Sequence, residues 1–206
     1  MARLINTHKG STSEHLASTI LSKFCFLATP TKSLDDIGAD LFCTIYIKRK
    51  RFLIPTKSFS LQIKSNKRNI EITKKLDFFN CLTNPYLVAV VQNNKMRVYS
   101  GEAIPHFLTM YTNPTEQSNP YYDKDNKIII RLIDTSENRV NLLEHKKENK
   151  KFYIDFPFVI ELDVNFKYSS EAQINEMLKV CEMIQRNISL KESNCFMYEL
   201  YNGGYG

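Results

Sequence analysis

The chain has 206 residues, of which 43% are hydrophobic and 24% charged, so it is long and apolar enough to bury one full hydrophobic core. Six glycines exclude a collagen-like chain or a glycine-rich disordered one, and no apolar stretch approaches the ~18 residues of a membrane span. The net charge of +6 favours an anionic partner, and the absence of a signal-peptide-like apolar run predicts a cytoplasmic protein without membrane contact.

The first predicted element is a helix from Ser11 to about Phe24, after a polar and basic lead-in over residues 1–10. Apolar residues recur on one side of this segment at helical spacing: Leu16, Ala17, Ile20, Leu21 and Phe24. Ser11 and Glu14 fit a capping box, in which Ser11 caps the helix and Glu14 bonds back to it. Glu14 also borders the apolar side, so a second interpretation stays open, in which it faces the candidate site around Asp40.

A turn at Gly38 leads into a predicted strand that begins after Asp40, at the point where the chain enters the core. An acid at the edge of a core needs a partner or a function, so Asp40 is the stronger candidate and Asp36, in the same loop, the weaker. The segment before this loop, Cys25 to Ala28, is either a short strand or the frayed end of the helix.

The next strand alternates strictly between polar and apolar residues from Ser58 to Lys64, which is typical of a strand with one buried face. Gln62 and Lys64 share the polar face, about 7 Å apart. An antiparallel hairpin is the simplest pairing of the two strands, and it brings Asp40, Gln62 and Lys64 together. An acid, an amide and a lysine at one place suit the binding of a metal ion and a phosphate; the alternative is an ordinary solvated strand face.

Four consecutive cations form the predicted tip of this hairpin: Lys48, Arg49, Lys50 and Arg51. Two more, Lys67 and Arg68, follow the second strand and extend the same basic patch. Either these side chains form a solvated surface, or they contact nucleic-acid phosphates beside the proposed metal site. Such contacts position a nucleic acid without reading its sequence.

The following elements complete an α/β pattern. Extended structure over Ile70–Ile72 precedes a predicted helix over roughly residues 73–83. The apolar, β-branched run Tyr86–Val91 predicts a strand buried on both faces, and Asn93-Asn94 turns it into a pairing strand at residues 96–99. This order predicts a mixed central sheet with helices packed on both faces.

The order of these elements and residues resembles the PD-(D/E)xK nuclease superfamily, which has the restriction-endonuclease-like fold. The resemblance covers about residues 8–100 and is strongest to the Mrr-like branch and to an uncharacterised bacterial domain family with a Gln-x-Lys motif. It implies that Asp40 is the metal-binding acid, Lys64 the catalytic lysine and Glu14 the helix acid found in many branches. Gln62 stands where most members have Glu or Asp.

The departure at Gln62 matters because an amide is a weaker ligand than a carboxylate for a hard divalent cation. The Mrr-like branch carries this Gln, so the departure does not by itself imply an inactive site. The resemblance implies Mg²⁺ or Mn²⁺ held by Asp40 and Gln62, with Glu14, a backbone carbonyl or the substrate phosphate completing the ligands. It further implies hydrolysis of DNA phosphodiesters, in which Lys64 orients the attacking water or stabilises charge on the pentavalent phosphate.

The second half, residues 105–206, is predicted to be an α+β extension that packs on the nuclease-like core of residues 1–104 as one compact domain. Its predicted elements are a strand at 128–133, a polar loop or linker at 135–151, an extended segment at 152–164 with Pro157 marking a bulge or an edge, and a helix from Ser170 to about Leu190. The aromatic tail after Phe196 docks either on the domain or on a partner.

Five scattered cysteines without a Cys-x-x-Cys pair predict buried free thiols rather than disulfides or a zinc site. Three tyrosines near the start of the second half either pack in the protein or stack on bases: Tyr111, Tyr121 and Tyr122.

The leading hypothesis is a metal-dependent DNA endonuclease of a bacterial antiviral defence or repair system, and two others stand beside it. A non-catalytic nucleic-acid-binding module on the same fold would bind DNA in a salt-sensitive way without Mg²⁺-dependent cleavage. A protein-interaction module would act with a partner protein in a multi-component system without binding DNA. A homodimer fits the nuclease hypothesis, because cutting two strands together usually takes two active sites.

Overall fold

The structure is a computed structural model that describes residues 2–30, 38–112, 125–134, 142–146, 149–165, 171–195 and 197–201, with side chains described from residue 12 onward. The predictions made for Asp36, Tyr121, Tyr122 and the Ser170 cap fall outside these residues.

In chain order the elements are helix α1 (Ala2–Leu21), strands β1 (Cys25–Ala28), β2 (Leu41–Arg49), β3 (Phe52–Lys64) and β4 (Ile70–Glu71), a 3₁₀ turn (Thr73–Lys75), helix α2 (Leu76–Cys81), strands β5 (Tyr86–Gln92) and β6 (Lys95–Ser100), helix α3 (Ile104–Thr112), strands β7 (Lys127–Ile133), β8 (Leu143–Lys146) and β9 (Lys151–Asp163), and helix α4 (Glu171–Glu192).

The strands of the described part join one mixed sheet in the order β1-β2-β3-β5-β6-β9-β7-β4, with β8 paired to β9 beside this path. β1, β2 and β3 are antiparallel neighbours, whereas β3 and β5 are parallel. A parallel pair needs a crossover connection, which β4, the 3₁₀ turn and α2 supply. The predicted α/β class with a mixed central sheet is confirmed. The sheet contains strands from both sides of residue 104, the predicted end of the core, because β6 pairs with β9.

Alternation along the strands gives the sheet two apolar faces. One face, which includes Leu61 and Ile63, packs against α1 and α4. The other face, which includes Val88, packs against α2 and α3. Because successive side chains of a strand point to opposite faces, Gln62 and Lys64 lie on the α2–α3 face.

β9 contributes to both faces because its alternation changes phase. Phe156 belongs to the α2–α3 face, whereas Ile160 and Leu162 belong to the α1–α4 face. The change coincides with a register shift against β6 between Val98 and Tyr99, and an extra residue in a strand has this effect. The bulge thus lies next to Pro157, as predicted, although β9 is flanked by β6 and β7 rather than lying at an edge.

The structure corrects three predictions. α1 begins at Ala2, so residues 2–10 are helical rather than a lead-in, and Ser11 lies inside the helix, where it cannot be the N-cap of a capping box. Residues 104–112 form α3, for which the sequence pattern predicted no element. Leu143–Lys146, expected to be part of a polar loop, pairs with β9 as β8.

The tail docks on the domain over residues 197–201. Asn187 of α4 is buried and donates its Nδ2 protons to the backbone carbonyls of Glu102 and Glu199, at 3.0 Å each. Its Oδ1 accepts the backbone N–H of Glu199 at 2.7 Å. The backbone N–H of Tyr201 donates to Oε1 of Glu102 at 3.3 Å. One buried amide and one buried carboxyl therefore hold the tail against α4.

All five cysteines are free, as predicted. Cys25, Cys43 and Cys181 are buried, whereas Cys81 is exposed and Cys195 half-buried, contrary to the predicted burial. Burial raises the pKa of these three thiols, so they are protonated core side chains. Within the described ranges, no helix has both the length and the apolar character that crossing a membrane requires.

Candidate active site

The candidate site lies where β2 begins and β3 ends. Leu41 pairs with Leu61, so Asp40, one residue earlier, stands opposite Gln62. The Asp40 backbone N–H donates to the Leu61 carbonyl at 2.8 Å, and its carboxylate Oδ2 accepts the Ile63 N–H at 2.5 Å. The carboxylate thus continues the hydrogen-bond ladder one residue before the start of β2, and this bond fixes the position of the Asp40 side chain.

Gln62 is buried on the α2–α3 face of the sheet and contacts Tyr86, the first residue of β5. The Tyr86 hydroxyl lies 2.9 Å from Gln62 Oε1 and 2.9 Å from the Gly38 carbonyl oxygen. Three separate segments, the turn before β2, β3 and β5, therefore meet at one phenol.

The number of protons available determines which group donates in each of these contacts. A phenol carries one proton and the Gly38 carbonyl can only accept, so the Tyr86 hydroxyl satisfies both neighbours if it donates to Gly38 and accepts from the Gln62 amide. A half-turn of the amide, which hardly changes its shape, places Nε2 against the phenol. Oε1 of Gln62 is then turned away from Tyr86, which makes it the acceptor that Gln62 can offer to the site.

Tyr86 is held in place by aromatic neighbours. Its ring centroid lies 4.9 Å from that of Phe79 in α2 and 6.2 Å from that of Phe156 in β9, both in edge-on geometry. Burial, and then the negative charge of Asp40, raise the pKa of Tyr86 well above its usual value. The hydroxyl therefore remains a protonated donor.

Two lysines share the site with Asp40. Burial lowers the pKa of Lys64, the negative charge of Asp40 raises it, and the positive charge of Lys75 lowers it. Lys75 ends the 3₁₀ turn before α2. With all three groups ionised the site carries one negative and two positive charges, and this excess suits an anion such as a phosphate.

Gly38 makes room for this arrangement. Its φ is +90°, a conformation that L side chains rarely adopt. A Cβ at this position would lie 3.3 Å from both Cδ and Nζ of Lys75. Glycine therefore provides the turn before Asp40 and also leaves space for the Lys75 side chain.

Glu14 lies on α1, which packs against the opposite face of the sheet from Gln62 and Lys64. Its side chain is exposed. The structure brings Asp40, Gln62 and Lys64 together, as the hairpin predicted, and places Glu14 across the sheet from them.

The basic tip is not beside the candidate site, where the nucleic-acid alternative placed it. Lys50 and Arg51 form the turn between β2 and β3, with Lys48 and Arg49 at the end of β2. Asp40 stands at the other end of β2, eight residues before Lys48, which corresponds to about 26 Å of strand. A hairpin separates its tip from its open end, and sequence proximity to the strand does not reveal this distance.

Lys67 and Arg68 follow β3 directly and so lie near its site end. Lys67 forms an ion pair with Asp134 at 2.6 Å, and Asp134 also accepts the Tyr99 hydroxyl at 2.7 Å. Arg68 is exposed.

The donors available to a metal ion are few. Within the described ranges, no group of three or more His, Cys, Asp or Glu side chains is arranged to hold a metal. The Asp40 carboxylate and the Gln62 amide oxygen are oxygen donors of the kind that Mg²⁺ binds, and Mg²⁺ is commonly held by one or two carboxylates together with substrate phosphates. This donor set fits a cation that is bound jointly with a phosphate-bearing substrate.

In comparisons with known proteins, the chain matches no family model, no curated protein and no solved structure.

Sequence reasoning missed Lys75 and Tyr86. The sequence pattern places Tyr86 only in a buried strand, although a buried tyrosine hydroxyl needs a hydrogen-bond partner, and this need is the signal that points to it. Lys75 falls in a predicted helix directly after Lys74, and nothing in the sequence pattern distinguishes the two lysines.

Proposed function

We propose that this protein is a metal-dependent nuclease that hydrolyses DNA phosphodiester bonds, with Mg²⁺ or Mn²⁺ as its metal. The observation that carries the proposal is the convergence of Asp40, Gln62, Lys64 and Lys75 at the end of β3, on one face of the sheet. A carboxylate and an amide beside two mutually repelling lysines form a site for a cation and a phosphate together.

The element order supports the same proposal. A helix, an antiparallel group of three strands, a helical crossover and a parallel buried strand occur in the order that carried the resemblance to the PD-(D/E)xK nucleases. Asp40 precedes the second of these strands and Gln62-Ile63-Lys64 ends the third, as in that pattern. A bacterial antiviral defence or repair system is the setting that this resemblance suggests.

Each residue has a distinct part in the proposed chemistry. A bound divalent cation supplies Lewis acidity toward the phosphate and the attacking water. Asp40, fixed by the Ile63 N–H, and Gln62, fixed by Tyr86, supply oxygen ligands. Lys64 and Lys75 bind the phosphate oxygens and stabilise the charge that builds up on them as the water attacks.

Plasmid cleavage tests the proposal. Supercoiled DNA is incubated with Mg²⁺, with Mn²⁺ or with EDTA, and with either wild type or the Asp40→Ala/Lys64→Ala double variant. We expect nicking that depends on the metal and that the double variant lacks. An Asp163→Ala/Lys179→Ala variant, which removes one exposed acid and one exposed lysine elsewhere, is the matched control. Equal metal-dependent cutting by all three proteins would refute the proposal.

A non-catalytic DNA-binding module is the second candidate. It is favoured by the single carboxylate among the donors of the site, because an amide in place of an acid weakens the hold on a hard cation. In this case Gln62→Glu, which restores the acid, is expected to produce metal-dependent cleavage in a protein that otherwise only binds DNA. Cleavage by the wild type would exclude this candidate.

A further inference from the structure

The positive charge of the chain is concentrated in one hairpin. Residues 41–70, which contain β2 and β3, have eight Lys or Arg residues and no Asp or Glu. The whole chain has 28 Lys and Arg against 22 Asp and Glu, so the remaining segments have 20 cations against 22 acids and a net charge of −2. A polyanion is therefore drawn to this hairpin rather than to the protein as a whole.

The outer part of the hairpin projects beyond the rest of the sheet. β1 pairs with β2 at Phe42–Ile45, and β5 pairs with β3 at Ser60–Lys64. Farther out, from Ile47 opposite Ile54 to the tip, the described sheet contains only β2 and β3 paired with each other. Every residue from Lys48 to Thr56 is exposed. We call residues 47–56 the arm.

The arm exposes large apolar side chains as well as cations. Phe52 is 60%, Leu53 46% and Ile54 37% exposed, and these three form most of the exposed large apolar residues in the described part of the chain. The Arg51 guanidinium lies 5.3 Å from the centre of the Phe52 ring. Cations that reach phosphates, next to apolar groups that reach thymine methyls or wedge between bases, suit a nucleic acid.

We infer that the arm is a second contact surface for double-stranded DNA and enters its major groove about eight base pairs from the candidate active site. The inference rests on the proposed function for the identity of the polyanion. A two-stranded β-ribbon fits the major groove of B-DNA, which is about 12 Å wide. The major groove of A-form RNA is deep and narrow, so the arm selects DNA over duplex RNA.

The spacing follows from the length of the strands. The eight residues from Asp40 to Lys48 span about 26 Å, and base pairs in DNA are about 3.4 Å apart. A duplex that lies along the hairpin therefore reaches both ends within one helical turn. The cleavage chemistry and the groove contact belong to opposite ends of the same pair of strands.

Fluorescence polarisation in EDTA tests the inference without any cleavage. The probes are a labelled 20-base-pair DNA duplex, the RNA duplex of the same sequence and the single DNA strand. The arm variant is Arg49→Gln/Lys50→Gln/Arg51→Gln, and the control Lys127→Gln/Lys146→Gln/Lys179→Gln removes three exposed cations elsewhere. We expect the arm variant to bind duplex DNA at least ~10-fold more weakly at low salt and to lower the log–log salt slope by up to about 2.7, while the control stays near wild type.

A Phe52→Ser variant separates the groove contact from charge attraction. It is expected to reduce the preference for duplex DNA over duplex RNA and single strands while leaving the salt slope unchanged, because an apolar contact releases no counterions.

Equal weakening in the arm and control variants, or equal binding of DNA and RNA duplexes by the wild type, would overturn the inference. So would binding to phosphatidylserine vesicles that the arm variant loses while its DNA binding persists. Arm-dependent DNA binding without any metal-dependent cleavage would refute the nuclease proposal and leave the arm contact standing, whereas cleavage without arm dependence would do the reverse.

Discussion

Tyr86 links the turn before β2 to the polar face of β3. Its hydroxyl lies 2.9 Å from both the Gly38 carbonyl and the Gln62 amide, and its ring packs edge-on against Phe79. The orientation of Gln62 in the candidate site therefore depends on a residue that never needs to touch the substrate.

Tyr86→Phe is expected to lower the free energy of unfolding by about 1–3 kcal/mol, because the change leaves two buried polar groups without their partner. Urea unfolding measures this loss. Tyr46→Phe is the matched control, since the Tyr46 hydroxyl donates to the exposed Ser22 carbonyl at 3.2 Å and its removal is expected to change stability by no more than about 0.5 kcal/mol. Equal losses in both variants would contradict the role given to Tyr86.

Glu102 predicts a pH dependence of stability. Burial raises its pKa to about 7, against the opposing hydrogen bonds from Ser100 and Tyr201. Since the folded-state pKa lies above the unfolded value, the group stabilises the protein fully at low pH, and this contribution is lost as the pH rises through about 7. Between pH 8 and pH 5 the contribution amounts to about 2–3 kcal/mol.

Urea unfolding at pH 8 and pH 5 checks this dependence. The gain on acidification is expected in wild type and is expected to be smaller by that amount in Glu102→Gln. Glu161→Gln is the control: Lys95 and Arg97 lower the pKa of Glu161, so its removal leaves the change between pH 8 and pH 5 as in wild type. A Glu102→Gln protein with the wild-type pH dependence would contradict the prediction.

The convergence of Asp40, Gln62 and Lys64 could be predicted from the sequence, because strict alternation fixes the face of each side chain and a hairpin fixes which residues stand opposite. Lys75 and Tyr86 could not be placed in this way. Lys75 approaches Gly38 from a crossover segment, and the Tyr86 hydroxyl reaches across from β5, so both depend on how separate elements pack.

At the scale of the elements, strands with strong apolar patterns were predicted and polar elements were not. β2, β3, β5 and β7 carry alternating or continuous apolar residues and formed as expected. The first half of α1 has little apolar periodicity and includes Gly10, α3 begins with Ile104-Pro105, and β8 lies in a charged segment. Tertiary packing decides such segments, since local propensity is weak there.

The three hydrogen bonds that Asn187 of α4 makes to Glu102 and Glu199, here called the clasp, yield a prediction at this scale. Asn187→Ala removes three hydrogen bonds and leaves a buried carbonyl of Glu102 and two half-buried backbone groups of Glu199 without their partner. We expect a loss of about 2–4 kcal/mol in urea unfolding and faster proteolysis within residues 197–201. Ser189→Ala, on the exposed side of the same helix, is expected to change neither. A tail that is cleaved at the same rate in both variants would contradict the clasp.

For the whole molecule, one sheet joins the two halves of the chain, because β6 pairs with β9. The predicted extension over residues 105–206 therefore shares this sheet with residues 1–104. The excess of cations over acids, by contrast, comes from residues 41–70, which contain the β2–β3 hairpin and the segment after it. The net charge of +6 therefore describes a local surface on an otherwise slightly acidic molecule. The structure shows that the basic tip and the candidate site lie at opposite ends of the β2–β3 hairpin.

The most direct test of the nuclease proposal is the rate at which wild type and Lys64→Ala nick supercoiled plasmid in Mg²⁺. The Lys64 change keeps the ladder bonds of Asp40 in place, and a contaminating nuclease would cut equally in both preparations. Lys179→Ala serves as the exposed-lysine control. The proposal predicts Mg²⁺-dependent nicking by wild type and Lys179→Ala, and a loss of at least ~100-fold in Lys64→Ala, as for removal of a transition-state charge contact. Nicking at the same rate by all three proteins would contradict it.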